Sequence, residues 1–143
     1  MIVKKLAAVA ALAASVGAAG LIGPGTASAD VSATNYVATI SGGSGAWQFK
    51  VRLTQKDDIA AAKASLAGTT SQHINGKIVR TGGTPDYYNS PYTWFLDPND
   101  VQFVDMSMEV CDGSPSDVEY GILTSDRFCP WTGRVTALEQ VAI

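Results

Sequence analysis

From Trp47 the chain alternates. Trp47, Phe49, Val51 and Leu53 fall on one side of an extended segment, and Gln48, Lys50 and Arg52 on the other. That is the period of a strand with one wet face. The period then changes. Over about 55 to 67, Ile59, Ala62 and Leu66 form one stripe, acids occupy the first turn, and Gly68 can close the end. This predicts a short amphipathic helix. Thr54 and Asp57 have the spacing of a capping box. A second strand is expected from Gln72 to Arg80, where Gly76 signals a bulge or a close backbone approach.

Residues 81 to 91 read as a loop by their glycines and prolines, and Tyr92 to Leu96 as a third strand. Asp97 to Asp100 is a turn by its residues. Val101 to Val110 reads as a fourth strand, with Val104, Met106, Met108 and Val110 on one side. Ser114, Pro115 and Asp117 form a second capping box. It opens a short helix from about 115 to 122, with Val118 and Ile122 inward. Arg134 to Ile143 is a last strand or helix. The sum is an α+β fold: a mostly antiparallel sheet of four to five strands, with two short helices and one disulfide.

The N-terminal segment changes the picture of where this fold works. Lys4 and Lys5 precede an apolar, alanine-rich run from Leu6 to Ile22, and Ala27-Ser28-Ala29 offers a small-x-small cleavage site. The alternative, a retained anchor, puts the apolar run near the lower limit for spanning a bilayer. The expected organisation is a signal peptide over 1 to 29, a flexible segment over 30 to 45, and one small domain over 46 to 143. The net charge is −3, and cleavage removes two lysines but no acid. An acidic chain without a basic run argues against nucleic acid or an anionic membrane surface as partner.

Two cysteines in an exported chain are expected to form one disulfide, Cys111 to Cys129. A zinc site needs about four ligands, and a catalytic cysteine needs a base that lowers its pKa. The available set is these two cysteines and the single His73. Carboxylates at Asp97, Asp100, Asp105, Glu109, Asp112 and Asp117 match neither a calcium-binding loop nor a glycosidase pair in spacing. No metal and no cofactor are expected.

Two segments stand out as recognition surfaces. Tyr87, Tyr88, Tyr92 and Trp94 fall close together among glycines and prolines, and such side chains offer large contact area at low entropic cost. The competing reading puts Trp94 and one tyrosine in the core. In "TSDRFCPW", Arg127 stands two residues before a disulfide cysteine. A stiff loop there would present it to a trypsin-like protease; the competing reading is an ordinary surface arginine.

Taken in order, His73-Ile74, Gly76 to Val79, Tyr88-Asn89, Trp94 to Pro98, Val101, Phe103, Glu109 to Asp112 and Cys129-Pro130-Trp131 form a pattern. It resembles a small exported domain family named for the N-terminal domain of an amoebal calmodulin-binding-protein homologue, found also on small secreted bacterial proteins. The resemblance covers roughly Trp47 to Val135. It implies a stand-alone extracellular domain with a Cys111–Cys129 bridge, and brings no catalytic residues with it. Calmodulin binding does not follow, because that mode wants a basic amphipathic helix, and here Lys56 and Lys63 are set against Asp57 and Asp58.

The expectation is therefore a secreted, non-enzymatic binding domain, with protease inhibition as its most concrete form. Its partner is an extracellular protein or a carbohydrate, it touches no membrane once cleaved, and it is a monomer. The alternatives are a small extracellular hydrolase using His73, and a cell-surface structural protein.

Overall fold

The computed structural model describes residues 35–80 and 88–142. The expected leader and Tyr87 lie outside the described residues. Among the described residues there are two antiparallel three-stranded sheets, in place of the one sheet of four to five strands expected from the sequence. The first runs β2(Trp47–Leu53), β1(Asn35–Gly42), β6(Arg134–Val141), and the second runs β4(Phe95–Val104), β3(His73–Val79), β5(Arg127–Phe128). No helix among the described residues is long and apolar enough to cross a membrane.

The alternation at Trp47 to Leu53 holds. Phe49, Val51 and Leu53 are buried, and Gln48, Lys50 and Arg52 keep solvent contact. The segment expected to be flexible before residue 46 does not stay so. Residues 35–42 are the middle strand of the first sheet, pairing with β2 on one side and β6 on the other. Between the sheets Phe49 meets Trp94 at 5.5 Å and Phe128 at 5.2 Å, while Trp94 and Phe128 pack edge to face at 5.4 Å. Aromatic contacts of this geometry add to area burial, and here they join β2 to β5 through the residue that leads into β4.

Helix α1(Lys56–Leu66) packs on β6 and β4. Its N-cap is Gln55 without a side-chain hydrogen bond. Thr54 is diverted from the expected box because its hydroxyl donates to the Pro98 carbonyl at 3.2 Å. The buried stripe is also displaced: Leu66 is exposed, and Ser65 faces the sheet. Ser65 Oγ accepts the Val135 N–H at 3.1 Å, beside the irregular register of β1 and β6 between Thr39 and Ile40. Helix α2(Pro115–Glu119) has the expected Ser114–Asp117 capping box. It ends sooner than expected, at Gly121 with a positive φ of 71°, so Ile122 is exposed. Arg80 at the end of β3 donates to the carbonyls of Val118 and Leu123, fixing the C-terminal turn of α2.

The third and fourth expected strands are one. Leu96 pairs with Ile78 and Val101 with Gly76, so Asp97 to Asp100 loop out opposite Lys77. The turn chemistry is present, with the Asp97 carboxylate accepting the Asn99 N–H at 2.9 Å, but it makes a bulge inside β4. Little room is left at Gly76. A Cβ would stand 3.0 Å from Leu96 Cδ1 and 3.1 Å from Val101 Cγ2, which is the close approach read from the sequence.

Candidate functional site

Strand β4 ends at Val104, whose partner His73 is the first residue of β3. The next residues leave the sheet, and this overturns the expectation of a strand running on to Val110. Met106, Met108 and Val110 are exposed by 87%, 71% and 65%. Only Ser107 among Met106 to Met108 turns toward the domain, where its hydroxyl meets His73 Nε2 and accepts the Trp131 indole N–H at 3.0 Å. Because Trp131 supplies one proton to Ser107 Oγ, the serine O–H is free to donate to a neutral His73 ring. Burial holds His73 below its usual pKa, with Arg134 adding to the effect and Asp112 and Asp105 opposing it.

A tight turn, Glu109–Cys111, follows Met108, whose backbone is extended at φ −72° and ψ 145°. Its carbonyl accepts the Cys111 N–H at 3.3 Å. Cys111 and Cys129 form the expected disulfide, reinforced by the Cys129 N–H on the Cys111 carbonyl at 2.7 Å. Beyond it, Trp131 is held by its backbone N–H on Asp112 Oδ1 at 2.9 Å and by Arg134 on its carbonyl at 2.9 Å. Ser71, His73, Asp105, Met106, Ser107, Trp131 and Arg134 line a pocket of about 370 Å³. No group of three or more His, Cys, Asp or Glu among the described residues could hold a metal ion.

The residues expected from the sequence to form the surface are used differently. Trp94 is 1% exposed and belongs to the core. Tyr88 packs edge to face on Phe95 at 6.4 Å under the Arg52 guanidinium, 5.0 Å from its ring. Burial pushes its phenol up to about 12. Tyr92 leans on Trp94 at 5.6 Å and lines a second cavity of about 310 Å³ with Trp47 and Lys50, so of the described residues expected to recognise a partner it is the aromatic one left at a cleft. Arg127 does not protrude as a bait. It lies on β5, with Nη1 on Asp100 at 2.9 Å and Nε on Asn75 Oδ1 at 2.7 Å. The bulge that carries Asp100 explains this, since it brings a carboxylate across β3 to the arginine.

The Met106 to Val110 loop was missed because an extended loop with its apolar side out has the same alternation as a strand with its apolar side in. The available signal was the cysteine. A bridge at Cys111 can hold an extended segment without strand partners.

The family model of the BP-74 N-terminal domain matches residues 33–142. No curated protein and no solved structure matches the chain.

Proposed function

The chain belongs to the BP-74 N-terminal domain family, and from that premise we propose that it is a secreted, non-enzymatic binding domain that engages an extracellular protein through its disulfide-tethered loop. One observation carries this reading. Met106, Met108 and Val110 project from one loop, and Trp131, 41% exposed, shares a pocket with Met106. Large apolar side chains exposed together on one loop favour an interaction site. Methionine adapts to irregular partners, and tryptophan and methionine are enriched where proteins meet. The apolar N-terminal run with its Ala27-Ser28-Ala29 site, together with the disulfide, supports an extracellular setting.

The test is capture of culture-supernatant proteins on the immobilised, oxidised protein, with partners identified by mass. A partner bound by the wild type and lost by the double substitution Met106→Asp, Met108→Asp is the expected result. A partner kept by that variant and lost by Tyr92→Ala would move the site to the aromatic cleft.

A second reading has its own observation. The Ser107 hydroxyl on His73 Nε2 is the contact of a nucleophile with its base, which supports a small hydrolase. Ester or peptide turnover abolished by both Ser107→Ala and His73→Ala would establish it. Turnover indifferent to both would remove it.

A further inference from the structure

We infer that the loop presents the Met106–Ser107 peptide bond to an endopeptidase as a substrate-like inhibitor, with Met106 entering an apolar primary pocket. This rests on the protein-partner reading above and names the partner's class. Three features of the loop converge on it.

The first is projection. Met106 is the most exposed of the large apolar side chains among the described residues. Around it the chain alternates outward Met106, inward Ser107, outward Met108, and Met108 is extended. An extended peptide can lie along an enzyme cleft as an added strand, with alternate side chains entering pockets.

The second is anchorage on both sides of the bond. On the N-terminal side Val104 is paired with His73 in the second sheet. On the C-terminal side Ser107 is pinned by His73 and Trp131, and Met108 leads into the Cys111–Cys129 bridge. Hydrolysis of Met106–Ser107 would consume one water and leave a Met106 carboxylate and a Ser107 ammonium. Both ends stay fixed to the same scaffold, so the amine remains at high effective concentration beside the acyl group. Resealing, which expels that water, then competes with release. A loop already ordered also loses little conformational freedom on binding.

The third is the chemistry of the anchor. Met106 is long, unbranched and uncharged, which suits chymotrypsin-like and subtilisin-like pockets. The basic residue that would suit a trypsin-like pocket, Arg127, is committed to Asp100 and Asn75.

The experiment titrates subtilisin, chymotrypsin and trypsin with the purified, oxidised protein and follows residual peptidase activity. Inhibition of the first two and not of trypsin is expected. Met106→Lys, at a position open enough to leave the fold intact, should weaken inhibition of both by about thirtyfold or more, the scale of a buried anchor residue, and should create inhibition of trypsin. Ser107→Ala removes the pin, so in that variant the bond after Met106 should be cut faster, seen as a mass gain of one water. All three enzymes left active by the wild type, rapid cleavage of the wild type, or no transfer of specificity by Met106→Lys overturns the inference. Capture of a non-protease that Met106→Asp releases would overturn it while sustaining the binding reading. Capture of nothing, with no inhibition, removes both.

Discussion

Asn89 is 1% exposed and bridges two parts of the domain. Its Nδ2 donates to the Trp94 carbonyl at 2.9 Å, and its Oδ1 accepts the Lys50 N–H at 2.7 Å. The side chain thus closes the segment from Tyr88 to Trp94 onto the outer edge of β2. Asn89→Ala removes both bonds and leaves the Lys50 N–H and the Trp94 carbonyl without them. Each bond contributes about 1 kcal/mol net, and each stranded buried group costs about 1–3 kcal/mol. Counting each group once, the loss should be about 3 kcal/mol, a large share of a typical domain stability of about 5–15 kcal/mol. Urea unfolding with the disulfide intact, followed by tryptophan fluorescence, would read it as a lower midpoint at unchanged slope. Asn89→Asp sharpens the test. The carboxylate still accepts from Lys50, but it sets an unprotonated oxygen against the Trp94 carbonyl. Protonation restores a donor, so the folded state of this variant holds its proton more tightly than the unfolded chain. Its stability should therefore recover as pH falls toward the ordinary carboxylate range. An alanine variant within about 0.5 kcal/mol of wild type, the range of ordinary surface substitutions, would refute the bridging role.

Three further outcomes are expected. Cys111→Ser with Cys129→Ser should lower stability by about 3 kcal/mol by freeing the unfolded chain from its cross-link, read by the same urea titration, and should loosen Met106 to Val110, read as faster amide exchange there. His73 should make the wild type less stable as pH drops below about 6.5: the unfolded imidazole takes a proton that the buried ring resists, so the unfolded state binds more protons in that window. His73→Gln should flatten this slope, and an unchanged slope would exclude His73 as its source. Ser114→Ala should cost about 1 kcal/mol by unmaking the capping box of α2, while Thr54→Ala should leave α1 capping as it is, since Gln55 occupies that N-cap.

Local patterns were legible where one physical rule governed them. Alternation placed Phe49, Val51 and Leu53 inside; Ser114-Pro115-x-Asp117 opened α2; Gly76 marked a close approach to Leu96. The α+β class and the Cys111–Cys129 bridge followed from the same level of reading. What was lost depended on partners far along the chain. Asp97 to Asp100 have turn residues, and nothing local says that β3 will bridge across them and make a bulge. Asn35 to Gly42 carries the strand formers Tyr36, Val37, Thr39 and Ile40, and what nothing local shows is that β2 and β6 will flank it and make it a middle strand. Side chains of the candidate surface are drawn inward for the same reason. Tyrosine and tryptophan are as apt for a core as for a surface, and Trp94 and Tyr88 are taken inward by Phe49 and Phe95. Arg127 is taken by Asp100, which the bulge delivers.

The pairing of β1 with β6 also bears on when this domain can exist. The middle strand of the first sheet is the earliest described one, and one of its two neighbours is the last. All the residues from β1 through β6 must be present before that sheet can close, and contacts so distant in sequence slow folding. A nascent chain emerging from its N-terminus would remain without a completed first sheet until Arg134 to Val141 had followed.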